Sequence, residues 1–150
     1  MAWEQNPYAV KISLVANGDL SSSQYKFVKL DGNVLTGTPA CVVATAATDY
    51  CIGILQNQPK SITSGGFTNY GEAEVTISGI TKVVAGATNI AIGARLSVDS
   101  SGRAVPVTAA AATTNSKYIF GTALTASGSS GATGDIITMV VSTTAAVLSA

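Results

Sequence analysis

The sequence predicts an all-β fold: a compact β-barrel or sandwich-like single domain over residues 10–150, behind an extended N-terminal arm over residues 1–9. Three observations predict it. Short apolar, β-branched runs alternate with Gly-, Asn- and Asp-bearing turn signals from end to end. No window long enough for a stable helix keeps a 3.6-residue period, and the best candidates, residues 109–112 and 144–148, are too short. The length, 150 residues, suits one domain, which buries about 68–70% of its unfolded surface and needs no metal or disulfide staple.

In chain order, residues 10–15 form the first strand and end at the turn pair Asn17-Gly18. Residues 24–30 form the second, with Tyr25 and Phe27 on one face, and run into Asp31-Gly32. Residues 41–44 and 50–55 follow. Residues 72–78 alternate most cleanly, with Ala73, Val75 and Ile77 on one face and Glu72, Glu74, Thr76 and Ser78 on the other. Residues 95–98 and 103–107 read as a hairpin closed through Asp99 and Gly102. Pro106 suits its edge or end because proline cannot donate to a ladder. Residues 118–124, with Tyr118 and Phe120 on one face, and residues 135–141 complete roughly ten strands, the spacing of a barrel or sandwich. Residues 60–69 and 127–134 read as Gly/Ser-rich loops, too short to separate domains. A faint internal echo sets residues 52–55, a loop and residues 71–75 beside residues 120–124, a loop and residues 134–137. It points to two similarly built β-units sharing one core.

Composition narrows function. Eight Lys+Arg balance eight Asp+Glu, and only 11% of residues are charged against about 25% in ordinary soluble chains. Thr (18), Ser (16) and Gly (15) supply the polarity and Ala (23) much of the apolar share. So few cations cannot neutralise a phosphate backbone, which argues against nucleic-acid binding. The absence of histidine removes a His general base, a Ser-His-Asp triad and imidazole metal ligands. A surface depleted of charge suits protein interfaces, although a secreted Thr/Ser-rich β-domain has a similar surface. The segment opening at Met1 shows neither a basic nor an apolar targeting region, so a cytoplasmic product is expected. The apolar runs are far below the ~20 residues of a membrane helix, so no membrane partner is expected. Cys41 and Cys51 read as buried free thiols, a disulfide across a hairpin near residues 46–49 being the alternative.

The groups that might do chemistry have structural explanations. Glu72 and Glu74 lie on one strand face beside Thr76 and Ser78, which describes a wet face and not two carboxyls set across a cleft. Asp99 and Asp135 sit in turns. The Gly-rich run 128–134 lacks the Gly-Lys-Ser/Thr ending of a phosphate loop and precedes a strand. Lys82 reads as a solvated head on a buried stem. No catalytic, cofactor or metal site is expected. The exception among the aromatics is Trp3, the single tryptophan, which sits with Pro7 and Tyr8 in an arm that has no core of its own. Such a residue needs a docking surface, so Trp3, Pro7 and Tyr8 are the expected partner-binding residues.

Several runs together carry a family resemblance: residues 51–59 from Cys51 to Pro59; residues 71–86 from Gly71-Glu72-Ala73-Glu74 to Gly86; residues 92–106; and residues 121–124 with 134–140. In order and spacing, over about residues 50–142, the chain resembles tailed-phage capsid cement (head decoration) proteins. The resemblance implies a small β-barrel-like structural protein without cofactor or active site. It implies a homotrimer at quasi-threefold positions on the virion's capsid exterior, made in the host cytoplasm, whose partner is the major capsid protein and which bridges neighbouring capsid subunits. The alternative is a non-catalytic β-sandwich binding module, such as a carbohydrate-binding domain of a tail or secreted protein.

Overall fold

The computed structural model describes residues 9–31, 38–107, 118–127 and 134–147. Every regular element among them is a strand: β1 (Val10–Ala16), β2 (Phe27–Asp31), β3 (Ala40–Val43), β4 (Gly53–Leu55), β5 (Ile62–Ser64), β6 (Phe67–Asn69), β7 (Glu72–Val84), β8 (Arg95–Val98), β9 (Ala104–Pro106), β10 (Tyr118–Ala123) and β11 (Ile136–Val147). Nine form one sheet in the order β1-β3-β2-β4-β7-β11-β10-β8-β9, and a further β1–β7 pairing closes its first five into a barrel. The other four strands, with the second half of β7, curl in turn: β9 returns to the end of β7, where Ala104 bridges Ala85 in parallel.

The two halves repeat one another, residue for residue. In the first barrel β1 runs antiparallel to β7, Leu14 opposite Ala73; in the second, the end of β7 runs antiparallel to β11, Val83 opposite Ile137. The parallel contact of β1 with β3, Ala16 beside Cys41, matches Ala85 beside Ala104. Val28 faces Gly53 across β2 and β4, as Leu96 faces Gly121 across β8 and β10. Hydrogen bonds follow suit: Tyr25 N–H donates to the Leu55 carbonyl at 2.7 Å and Gly93 N–H to the Ala123 carbonyl at 2.8 Å. Asn57 Oδ1 accepts from Glu74 N–H at 2.9 Å, and Thr125 Oγ1 from Thr138 N–H at 2.8 Å. The chain is thus two copies of one five-stranded unit fused through β7, which closes the first and opens the second. Gly79, at φ +98°, marks the change of barrel within that strand. The faint echo in the sequence is real, and it is one residue out of register beyond its first glycine pair.

Burial explains the alternation and its exceptions. Val28 and Leu55 enter the first barrel with Leu14, Cys41, Ala73 and Val75. Their neighbours Phe27 and Ile54 point the other way and pack with Val83, Leu96, Phe120, Ile137 and Met139. The strands β2 and β4 are therefore buried on both faces, and the second core is sealed by the outside of the first barrel. This also buries Thr76, which is 1% exposed, whereas strand alternation alone puts it on the wet face with Glu72.

Other sequence expectations change for local reasons. Strand β2 starts at Phe27 and not at residue 24, because Tyr25 is left-handed at φ +63°; Tyr25 and Phe27 do not share a face. Its counterpart is Gly93, at φ +83°, and the Tyr25 ring lies 5.7 Å from Lys82 Nζ. Asn17-Gly18 is a bend, with Gly18 at φ +102°, and it closes no hairpin, since β3 lies between β1 and β2. Residues 60–69 are not irregular: β5 and β6 form a separate hairpin turning through Gly65 and Gly66 at φ +60° and +83°, the two positive φ values that a two-residue turn requires. Residues 144–147, too short for a helix by the sequence, continue strand β11 as far as Val147. The helix candidate at residues 109–112, Gly32 and most of the 127–134 loop lie outside the described residues.

Candidate interaction surface

The clearest concave apolar surface lies at the mouth of the first barrel. Ile12, Leu30, Tyr50, Cys51, Ile52, Ile77, Phe120 and Ser142 line a groove of about 310 Å³. It exists because β1, β2 and β7 end their inward-facing rows there and the loop before β4 adds Ile52: Ile12, Ile52 and Ile77 pack on the first core while remaining half-buried. Leu30 and Tyr50 at its rim are 56% and 54% exposed. Such a surface accepts an uncharged apolar or aromatic group; its lining holds no charged side chain, and its polar groups are the Tyr50 phenol, the Cys51 thiol and the Ser142 hydroxyl. Its residues come from five strands and the loop before β4, and no sequence period links them.

The polar residues singled out in the sequence serve the fold. Asp99 Oδ1 accepts from the backbone N–H of Ser101 and Arg103 at 2.8 and 2.9 Å, and Oδ2 takes the Arg103 guanidinium at 2.7 Å, which clamps the β8–β9 hairpin. Asp49 does the same for the loop ahead of β4, accepting from Thr45 N–H at 2.8 Å, Ala46 N–H at 3.0 Å and the Lys29 ammonium at 2.8 Å. Burial pushes the Asp49 carboxyl up, but Lys29 and the two backbone donors outweigh it and hold the group below the usual carboxylate range. Glu72 is exposed, and Glu74 meets Lys11 in a surface ion pair at 2.8 Å. Asp135 lends its carbonyl to Ala85 N–H. Among the described residues no group of three metal-ligating side chains stands together.

Cys41 and Cys51 are both buried and free. They do not face each other across a hairpin, because β2 lies between β3 and β4 and the two thiols belong to different cores. Burial raises Cys41 to about 11; burial, with the Asp49 charge adding to it, raises Cys51 to about 12. Neither is a nucleophile at neutral pH. Tyr118 and Phe120 lie 6.0 Å apart as expected, and they form the seam between the barrels: Phe120 packs on Phe27 at 5.3 Å and Tyr118 meets Tyr50 edge-on at 5.4 Å. Trp3, Pro7 and Tyr8 lie outside the described residues. The groove was missed in the sequence; the one available signal was Leu30, an apolar residue between Lys29 and Asp31.

No protein-family model matches the chain, and no curated protein matches it. Among solved structures, the chain is similar to the N base of the head fibre gp8.5 of bacteriophage phi29, with a TM-score of 0.57 and 19% sequence identity over 94% of this chain and 98% of that one. At that identity the match establishes a shared all-β fold across nearly the whole of both chains.

Proposed function

We propose that this protein is a structural component of a phage head, a decoration protein that binds the outer surface of the capsid and stabilises it by bridging neighbouring major capsid subunits. The observation that carries this reading is the fold match: it spans nearly all of both chains, and its counterpart is the base of a phage head fibre. The resemblance of about residues 50–142 to cement proteins points the same way. The weakly charged surface with its apolar groove supports a contact role, and Asp49 and Asp99 are engaged in holding turns. In this reading the chain acts without cofactor and without catalysis. It assembles as a homotrimer at quasi-threefold positions, with Trp3, Pro7 and Tyr8 of the arm contacting a partner. Many copies, each adding modest burial across a seam, would stiffen the shell by multivalency.

The test is copy number in purified particles of the phage that encodes the chain, by quantitative mass spectrometry against the major capsid protein. A ratio near one to one is the expected result. A handful of copies per particle would move the protein to a tail or fibre, and absence from particles would end the reading.

A further inference from the structure

The repeat makes the first barrel a control for the second. In the first, the ladder between β1 and β7 sets Lys11 opposite Thr76, Ser13 opposite Glu74 and Val15 opposite Glu72. Lys11, Ser13 and Glu72 are exposed there, and Lys11 reaches Glu74 in an ion pair. The matching ladder of the second barrel, between the end of β7 and β11, sets Ile80 opposite Val140, Lys82 opposite Thr138 and Val84 opposite Ile136. The residues between them, Val83, Ile137 and Met139, enter the second core, so alternation turns these three rungs to the outside of the barrel. The rungs of Lys11 and Glu72, charged in the first barrel, are wholly aliphatic in the second.

The corner beside the ladder changes in the same sense. In the first barrel it is closed by amides, Gln24 Nε2 donating to the Gln56 carbonyl at 2.7 Å. Their counterparts, one residue from the matched pairs Tyr25/Gly93 and Leu55/Ala123, are Ile92 and Leu124, which are 71% and 39% exposed; Ile136 is 46% exposed. The Leu124 N–H donates to the Thr138 carbonyl at 2.8 Å, which joins this corner to the ladder. The fold therefore accepts charges and amides at these positions, and the exposed aliphatic groups gathered there mark a contact surface. Its charges are both positive: Lys82 in the ladder, and Arg95, which follows Val140 across Thr122. The same face of a second copy would set cation against cation. Most of this chain's own described carboxylates are also engaged: Asp19 with Ser21, Asp31 with Asn17, Asp49 and Asp99 in their clamps, Glu74 with Lys11. The occupant that fits is another protein, apolar at its centre and bearing carboxylates.

We propose that this outer ladder of the second barrel is the surface on which the protein seats on the capsid, its occupant an apolar patch of the major capsid protein whose carboxylates face Lys82 and Arg95. The inference rests on the capsid reading and adds to it the face that makes the contact. The aliphatic rungs supply the burial, and the two cations set the orientation and speed the encounter.

The test is co-sedimentation of the full chain, over a concentration series, with particles of the encoding phage assembled without it. The unaltered chain is expected to bind, and less tightly as salt rises. Ile80→Lys combined with Ile136→Glu gives the second barrel the residue types that the first carries at Lys11 and Glu72. This variant is expected to keep its circular dichroism and to bind about tenfold more weakly or worse. Arg95→Glu, at an exposed position, weakens binding and its salt dependence together. Glu72→Gln, at the place in the first barrel that matches Ile136, binds as the unaltered chain does. Equal binding by the unaltered chain and the folded double variant overturns this inference and leaves the capsid reading standing, whereas no binding by the unaltered chain ends both. If the double variant does not fold, Ile92→Gln and Arg95→Glu decide the matter, and unchanged binding by both overturns the inference. Self-association, or adsorption to anionic lipid vesicles, that the double variant abolishes gives the face to a second copy or to a membrane and overturns it as well.

Discussion

Replacing Gly53 or Gly121 with alanine tests the two-barrel register directly, because these matched glycines sit where a short strand is crossed closely by its long partner. A Cβ at Gly53 would lie 2.2 Å from the Thr76 carbonyl oxygen and 2.8 Å from Val75 Cγ1; at Gly121 it would lie 2.0 Å from the Val140 oxygen and 2.4 Å from Met139 Cε. Carbon–oxygen contacts settle at about 3.3–3.6 Å, so each strand pair must part by roughly an ångström. The obstacle is backbone on both strands, which cannot swing aside as a side chain tip can. Overpacking of this kind costs about 1–3 kcal/mol, and each ladder hydrogen bond weakened beside it adds about 1 kcal/mol. The expected loss is about 2–4 kcal/mol for either variant, and in a chain of this size each 1 kcal/mol lowers Tm by about 2–4 °C. Urea unfolding with thermal melts reads it. Gly65→Ala is the control: its φ is +60° but nothing lies within 4 Å of the added methyl, so it meets only left-handed strain of about 1–2 kcal/mol. Gly53→Ala within about 0.5 kcal/mol of the unaltered protein, a surface-substitution level of change, would refute the close crossing. A smaller loss than that of Gly65→Ala would do the same.

Three further outcomes follow from the packing and the charges. Phe27→Ala opens the seam between the barrels, where Phe27 is fully buried; the loss expected in denaturant titration is about 3–5 kcal/mol, and a loss under 1 kcal/mol would mean that the second core does not depend on the first barrel. Asp49 is held below the usual carboxylate range, so its contribution is present above the unfolded value and is lost as pH falls through the folded value. Asp49→Asn should therefore flatten the acid limb of stability measured below about pH 4, and an unchanged limb would contradict the clamp. The raised thiols act in the opposite sense: stability is fully present below the ordinary value of 9.0 and falls as pH rises toward about 11 for Cys41 and about 12 for Cys51. Both should resist alkylation in the native protein at pH 8 and react once it is unfolded; rapid native labelling would show that the cores are open.

Much of the local structure was legible in the sequence. The alternation of Ala73 and Val75 identified the inward face of β7, and Arg95 to Pro106 read as a hairpin with its turn at Asp99, because period-two burial and turn chemistry act between near neighbours. Reading Thr76 as wet failed for a tertiary reason: a face is solvated only if nothing packs on it, and here the second barrel does. Tyr25 escaped because a left-handed tyrosine breaks the rule that would have identified it; its glycine counterpart, Gly93, obeys the rule.

The partnering of strands was decided only by the tertiary structure. Backbone ladders are blind to side-chain identity, so nothing in residues 10–16 says that they pair in parallel with β3 and antiparallel with β7; the choice depends on the summed burial of both cores. The repeat is likewise faint in sequence, because a barrel requires inward apolar volume and tolerates exchanges such as Ile52 for Phe120. Strand content, the absence of histidine chemistry and the weakly charged surface belonged to the sequence by itself. Closure into two matched barrels, and the groove that Ile12, Leu30, Ile52 and Ile77 form together, exist only when distant strands meet, since the contacts that create them join residues too far apart for any local pattern to record.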